Sequence, residues 1–226
     1  MQGSSKEVKR DPYRIIWASS YDRGLEWLLQ MWPEIKKQVP QTTLHLFYGW
    51  QLFDTIHANN PERQAWKKKM NAMFDQEGIT HHGRVGHEEL EREFKKSGIW
   101  SYPTDFTEIF CITAAKAQCF GAIPVVSDYA ALKETVKYGV KVPLDEPYKC
   151  RTKEWQETYV KALVDQLSSD NDGERESMMD WAKNKFAWSS VAKEWAKEFK
   201  KEPMSLDEAK KILLKHDPSL KDQMPI

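Results

Sequence analysis

The sequence has few cysteines and no long apolar run. It contains 3 cysteines in 226 residues, and this odd number, without any CxxC spacing, does not suggest a disulfide framework. A chain of this length does not need disulfides for stability, so we expect reduced thiols and a cytoplasmic protein. No apolar segment approaches the roughly 18 residues of a membrane helix, and the N-terminus shows neither a signal-peptide nor an anchor pattern.

An excess of charge of either sign is also absent. The 34 Lys and Arg residues balance the 34 Asp and Glu residues, and the pI is about 7.0. This balance gives no global electrostatic case for binding nucleic acid or an anionic membrane. With 40% hydrophobic and 30% charged residues, the composition is that of a soluble, ordered protein with a sizeable core.

Short apolar runs alternate with helical periodicity over roughly the first 145 residues. The predicted strands are 13–18, 44–48, 79–82, 98–102, 123–126 and, as an edge strand, 140–144; the predicted helices are 25–38, 61–76, 87–96, 108–120 and 129–137. Strands that alternate with helices through short loops indicate parallel crossovers. We therefore expect an α/β fold with a doubly wound parallel sheet and helices on both faces.

The chain is predicted to be helical only from Lys153 onward. Extra C-terminal helices are expected at 155–167, 174–184 and 188–199, the last with an apolar stripe that needs a packing partner. Ser205 and Glu208 form a capping box that starts a final helix, which should end before Pro218. The predicted segments are a tail or remnant at 1–11, a ligand-binding domain at 12–200 and a C-terminal helical tail at 201–226.

Ligands of open parallel sheets bind at the carboxyl ends of the strands, so the loops there are candidate sites. The loop 19–24 places hydroxyls that include Ser20, the cation of Arg23 and the flexible Gly24 just before a helix, where free N–H groups attract anions. The alternative is ordinary capping, with Asp22 as the N-cap.

Two further loops carry candidate residues. His81 and His82 precede a glycine-containing loop, but neighbours on a strand point to opposite faces, which argues against a shared metal. Glu108, in the first turn of a predicted helix, either caps it or accepts hydrogen bonds from a sugar, with N–H groups of Ile109, Phe110 and Cys111 facing the ligand.

Lys116 lies about two helical turns after Glu108 and could share a face with it, although a solvated lysine is the simpler interpretation. No base is placed near Cys111, so its thiol is expected to be buried or to serve only through its backbone rather than as a nucleophile.

Taken in order, these segments resemble the C-terminal, donor-binding half of GT-B glycosyltransferases of the family 4-like group. The matching segments are 19–25, Tyr48-Gly49-Trp50, 82–85, Tyr102-Pro103-Thr104, 108–112, Lys116-Ala117-Gln118, 121–126 and 186–192. The resemblance implies a Rossmann-like domain over about residues 12–200 that binds a nucleotide-diphosphate sugar.

The resemblance also implies roles for individual residues. Arg23 and Gly24 match the position that meets the diphosphate, and Arg84 and Val85 match the segment beside the base. Glu108 matches the first Glu of the family's two-Glu signature, with Ile109, Phe110 and Cys111 facing the sugar through their backbone. Glu108 and Arg23 are thus the expected catalytic residues, and no metal or other cofactor is expected.

Two features depart from the family pattern. Lys116 stands where the family has its second Glu, which usually holds the ribose hydroxyls, so the identity of the donor is left open. The N-terminal, acceptor-binding half is missing, so the chain is a fragment, one subunit of a split transferase or a free-standing domain.

The expected function is therefore transfer of a sugar from a nucleotide-diphosphate sugar to an unknown acceptor, with retention of configuration and without metal. The expected partners are the nucleotide sugar and an N-terminal half or partner subunit. The alternatives are a non-catalytic nucleotide- or sugar-binding module and an unrelated α/β hydrolase or reductase, for which no G-x-S-x-G or GxGxxG motif is found.

Overall fold

The computed structural model describes residues 8–201 and 204–216. It contains one parallel sheet of six strands in the order β3-β2-β1-β4-β5-β6. The strands are β1 (Asp11–Trp17), β2 (Thr43–Phe47), β3 (Ile79–Gly83), β4 (Ser97–Tyr102), β5 (Ile123–Asp128) and β6 (Val140–Pro143). This confirms the predicted doubly wound parallel sheet. The strand order reverses direction between β1 and β4.

Helices follow most strands and continue beyond the sheet. They are α1 (Leu25–Gln38), α2 (Gln51–His57), α3 (Pro61–Phe74), α4 (His87–Lys96), α5 (Ile112–Phe120), α6 (Leu132–Thr135), α7 (Lys153–Leu167), α8 (Asp172–Phe186), α9 (Trp188–Glu198) and α10 (Leu206–His216). None of the described helices has the length and apolar character needed to cross a bilayer.

Three helices differ from the sequence-based expectation by more than two residues at a boundary or were not expected at all. Helix α2 was not predicted. Helix α5 begins at Ile112 rather than at Glu108, because Cys111 adopts a left-handed conformation with φ 65° that an α-helix cannot include. Helix α6 is shorter than the predicted 129–137, and Ala130, also at positive φ, precedes it. Glu108 therefore lies in a loop and not in the first turn of a helix.

The core lies on both faces of the central strands. Ile15, Ile16 and Trp17 of β1 are fully buried, and every residue of β4 is buried. Consecutive buried residues, without the alternation of a half-exposed strand, are typical of a parallel sheet covered by helices on both sides. Leu25, Leu28 and Leu29 of α1 are buried in the same core.

Hydrogen bonds from side chains of α7 and α8 hold these two helices against the sheet. The hydroxyl of Tyr159 on α7 donates to the carbonyl of Val125 and accepts from the backbone N–H of Tyr102 at 3.1 Å. The buried guanidinium of Arg175 on α8 donates to the carbonyls of Gly98 and Gly121. Buried polar groups are thus paired where the helices meet the sheet.

The chain divides into two compact units, Met1–Asn184 and Lys185–Ile226. In the second unit the predicted capping box is present: the Ser205 hydroxyl accepts from the N–H of Glu208 at 3.2 Å, and the Glu208 carboxylate accepts from the N–H of Ser205 at 3.1 Å. Helix α10 ends before Pro218, as expected. The predicted segments 1–11, 12–200 and 201–226 stay a prediction, and residues 1–7, 202–203 and 217–226 lie outside the described residues.

Candidate functional site

The loops that leave β1 and β4 meet at the carboxyl edge of the sheet, where the strand order reverses. Gly24, at the start of α1, has φ 104° and approaches the β4 loop closely. A Cβ atom placed there would lie 2.3 Å from the Pro103 carbonyl oxygen and 2.9 Å from Thr104 Cα. Only glycine combines this backbone conformation with this contact. In doubly wound sheets this position is the usual ligand-binding crevice.

Arg23 and Glu108 form an ion pair across these two loops. Arg23 Nη1 lies 3.1 Å from Glu108 Oε1, and the Tyr102 hydroxyl donates to the same oxygen at 2.7 Å. The Arg23 guanidinium also lies over the Phe106 ring, 4.1 Å from its centroid. The Glu108 side chain is 7% exposed and that of Arg23 38% exposed. The cation therefore reaches solvent, while its partner is held inside.

The electrostatics of this cluster follow from its burial and its carboxylate. Burial acts to lower the pKa of Arg23, but the Glu108 carboxylate and the Tyr102 hydroxyl together outweigh it, so the pKa lies above its usual value. Burial, together with Cys111 and Glu108, raises the pKa of Tyr102. Burial, with a further contribution from Glu108, raises the pKa of the Cys111 thiol to about 12. Cys111 is therefore protonated at neutral pH and unsuited to act as a nucleophile, in agreement with the sequence-based expectation.

A cavity of about 460 Å³ lies next to Ala18 of the β1 loop, between this loop, the β3 loop and α5. It is lined by Ala18, Phe47, Tyr48, Leu52, Arg84, Val85, Gly86, His87, Leu90, Ile112, Thr113 and Lys116. The structure thus brings Arg84, Val85 and Lys116 together in one cavity. Thr113 joins the cavity to the β1 loop, because its hydroxyl donates to the Ala18 carbonyl at 3.4 Å.

The other predicted site residues lie along the same edge. The Ser20 hydroxyl donates to Asp22 Oδ1 at 2.7 Å. Asp22 does not cap α1, whose N-cap is Gly24 without a side-chain hydrogen bond. Ile109 and Phe110 are exposed and Cys111 is buried.

The two adjacent histidines point to opposite sides of β3, as predicted. His81 Nε2 lies 2.8 Å from the Tyr21 hydroxyl, whereas His82 Nε2 lies 2.9 Å from His45 Nδ1. Within the described residues, no group of three or more His, Cys, Asp and Glu side chains is placed to hold a metal ion.

Sequence reasoning missed several side chains that belong to these two features. Tyr102 and Phe106 hold Glu108 and Arg23, and His87 and Thr113 line the cavity. The segment containing Tyr102 was singled out, but its hydroxyl was not assigned a partner. No sequence signal marked His87, because it lies on a helix start with no unusual spacing.

Comparison with solved structures identifies the same fold in glycosyltransferases. The GtfA/B complex has a TM-score of 0.68 and 17% identity, and covers 85% of this chain and 36% of that chain. The pneumococcal O-GlcNAc transferase GtfA, solved with UDP and GlcNAc, has a TM-score of 0.61 and 19% identity, covering 84% and 36%. Anabaena HepE, solved with UDP-glucose, has a TM-score of 0.60 and 14% identity, covering 83% and 48%.

This chain thus corresponds to between a third and a half of the length of these structures. No curated protein matches the sequence. Residues 12–168, more than half of the chain, match the family described as glycosyl transferases group 1. The chain belongs to the group 1 glycosyl transferases, with the GT-B type of fold that the resemblance implied.

Proposed function

We propose that this chain is the donor-binding domain of a glycosyltransferase. In this proposal a nucleotide-diphosphate sugar binds where the loops after β1 and β4 meet. One observation carries it: the Arg23–Glu108 ion pair lies at the reversal point of the strand order, and a cavity of about 460 Å³ lies beside the same β1 loop. This places a cation, a buried carboxylate and a concave surface along one edge.

Each half of the ion pair has a role in this proposal. Arg23 is half-exposed and close to the N-terminus of α1, so it can meet the diphosphate and stabilise the charge that develops as the diphosphate departs. Glu108 accepts hydrogen bonds from sugar hydroxyls, and the Tyr102 hydroxyl keeps its carboxylate in position. Both residues are therefore proposed to act on the donor at the bond that breaks.

The cavity is proposed to hold the nucleoside. Arg84 and Val85 lie beside the base, Lys116 lies beside the ribose, and Ser20 and Gly24 lie beside the diphosphate. The backbone of Ile109, Phe110 and Cys111 faces the sugar. A volume of about 460 Å³ lies within the range of roughly 300–1,000 Å³ that is typical of small-molecule sites.

Transfer is proposed to proceed with retention of the anomeric configuration and without a metal ion or other cofactor. Proton NMR of the first product formed would show the anomeric configuration, and an inverted product would contradict retention.

We also propose that the protein is cytoplasmic, because its 3 cysteines are odd in number and lack a CxxC spacing.

The acceptor is proposed to bind to a second half, supplied by another segment or by a partner subunit. The specific observation is that this chain corresponds to only 36% of the length of the GtfA chain, and that the GtfA/B structure is a complex. The same observation supports a second candidate, a donor-binding subunit that is inactive alone. Turnover by the isolated chain would exclude that candidate.

The decisive experiment is a calorimetric titration with UDP, GDP, ADP, dTDP and CDP and their common sugar conjugates. Saturable binding of one nucleotide, tighter with one sugar attached, is the expected result and would name the donor. The Arg92→Ala variant, altered on the exposed surface of α4, serves as a control that should bind like the wild type. A wild-type chain that binds none of these compounds would contradict the proposal.

A further inference from the structure

The cavity beside the candidate site is lined by two cations, Arg84 and Lys116, and of the described residues no Asp or Glu lines it. The His87 imidazole and apolar side chains such as Phe47 and Leu90 also line it. Arg84 is exposed and Lys116 half-buried, so both charges reach the solvent in the cavity. A concave surface lined by charge of one sign attracts ions of the opposite sign.

Neither cation is neutralised within the described part of the chain. Other arginines have acidic partners, such as Arg23 with Glu108 and Arg63 with Asp22. Within that part, Arg84 and Lys116 form no ion pair, and Lys116 Nζ lies 3.4 Å from His87 Nδ1. Two like charges that line one cavity without a counter-charge repel each other, so a bound anion would relieve the repulsion.

The hydrogen-bonding chemistry of these side chains also favours a group that only accepts. A lysine ammonium has three donors and a guanidinium five, and neither has an acceptor. Ribose hydroxyls both donate and accept hydrogen bonds, and these cations, which only donate, can pair with the hydroxyls only as acceptors. A phosphate oxygen accepts from either cation, and a phosphate monoester carries a charge of about −1.5 to −2 at neutral pH.

We propose that Lys116 and Arg84 bind a phosphate group carried on the ribose of the nucleotide, at its 2′ or 3′ position, and that Lys116 determines specificity for it. The proposal rests on the proposed function, in which the nucleoside occupies this cavity and Arg23 meets the diphosphate of the donor. The phosphate on the ribose is therefore a further group, bound apart from the diphosphate.

The test compares ligands that differ by one phosphate. Uridine 5′-monophosphate, its 2′,5′- and 3′,5′-bisphosphates and uridine 5′-diphosphate are titrated calorimetrically, and the same sets are run with adenosine and guanosine. The proteins are wild type, Lys116→Met, Lys116→Arg and, as a control on the exposed surface of α3, Lys68→Met. Circular dichroism and thermal melting confirm that each variant is folded.

We expect a second phosphate to raise wild-type affinity at least tenfold, and Lys116→Met to abolish that gain. Lys116→Arg should keep most of it, and Lys68→Met all of it. The gain should come from the 2′- or 3′-phosphate; a gain that comes only from the 5′-diphosphate would overturn this inference.

Equal effects of Lys116→Met on the monophosphate and on every ligand with a second phosphate would overturn this inference while leaving the donor site in place. Absence of any nucleotide binding by the wild type would instead remove the proposed function, and this inference with it. Arg23→Ala separates the two sites further, because it should weaken the diphosphate without reducing a gain from a ribose phosphate.

Discussion

Arg23 makes two contacts with one guanidinium, an ion pair with Glu108 and a stacking contact with Phe106. These contacts hold a long, flexible side chain at the edge of the sheet while leaving part of it exposed to solvent. The pairing also keeps the buried carboxylate of Glu108 from being an uncompensated charge. At the residue scale, therefore, each member of the candidate site is held in place by another member.

Arg23→Ala should weaken binding of the nucleotide diphosphate. Loss of a charge-assisted contact costs about 1.5–3 kcal/mol, which corresponds to roughly a tenfold to hundredfold rise in Kd. Calorimetric titration measures this change, with Arg92→Ala as the matched control. Unchanged affinity in the alanine variant would remove Arg23 from the diphosphate site.

Glu108→Gln should separate the sugar contact from the nucleotide contact. The amide keeps the shape of the side chain and can still accept from the Tyr102 hydroxyl, but it loses the negative charge. We expect the free nucleotide diphosphate to bind as well as to the wild type or better, because Arg23 is released from its pair, and the nucleotide sugar to bind more weakly. Equal losses for both ligands would show that Glu108 is only structural.

His45 should make stability depend on pH. Burial, assisted by the positive charges of Arg14 and His82, lowers the pKa of His45 to about 4. Arg14 Nη1 lies 3.0 Å from its Nε2, and Glu93 and Lys96 also act on the ring. The unfolded state then binds more protons than the native state between about pH 4 and the usual histidine pKa of about 6.5, so the free energy of unfolding rises with pH across that window.

Urea unfolding of the wild type and His45→Gln at several pH values measures this dependence. The contribution of His45 to the stability of the wild type is fully present above about pH 6.5 and is lost as the pH falls toward 4. His45→Gln should have a shallower slope across the same window. Identical slopes in the two proteins would rule out His45 as a source of the pH dependence.

At the scale of elements, the site depends on how closely the β1 and β4 loops approach each other. The start of α1 packs against Pro103 and Thr104 through Gly24. The β4 loop is in turn tied to the chain after β5, because the Glu108 carbonyl accepts from the N–H of Ala131 at 3.1 Å. The loops that carry Arg23 and Glu108 are therefore positioned by contact with each other and with the chain after β5.

Gly24→Ala should disturb this approach. The new Cβ would overlap the Pro103 carbonyl and force an L-residue into positive φ, at a cost of about 1–3 kcal/mol in stability. We expect a lower midpoint of urea unfolding and weaker nucleotide binding. Gly173→Ala, at the exposed start of α8 and away from the cavity, is the matched control, because its Cβ would meet nothing within 4 Å and its φ is not positive. Equal effects of the two substitutions would show that the approach of the loops is not the cause.

The wrong helix boundary at α5 belongs to the same scale. Glu108 to Cys111 carry residues that fit a helix start, and the sequence pattern favoured one. The left-handed conformation of Cys111 excludes a helix that continues from Glu108 into α5. The unpredicted α2 has only seven residues, fewer than the window of about 11 residues over which helical periodicity can be recognised.

At the scale of the whole molecule, the sheet order brings the first and fourth strands together. Arg23 and Glu108 are 85 residues apart in sequence and meet because β1 and β4 are neighbours. The same order places the β3 loop, with Arg84, on one side of the cavity and α5, with Lys116, on the other. The whole molecule therefore sets the composition of the candidate site.

Treatment of the intact protein with a chelator tests whether donor binding and turnover are independent of metal. Donor affinity of the intact chain, and any turnover by it or by the complemented enzyme, should be unchanged by EDTA. The measurements are calorimetric titration and release of nucleotide diphosphate, each with and without chelator. Loss of binding or turnover with EDTA, restored by Mg²⁺ or Mn²⁺, would contradict metal independence.

The sequence by itself determined the class of the fold, because a strand period of two and a helix period of 3.6 are local properties. It also placed Ser20, Arg23, Gly24, Arg84 and Val85 on loops after strands, since the loops follow from the ends of those periods, but it placed Glu108 on a helix. Only the tertiary structure decided that Glu108 pairs with Arg23 and Tyr102, and that Lys116 faces the same cavity as Arg84. These contacts depend on strand order and on the packing of distant segments, which no local pattern specifies.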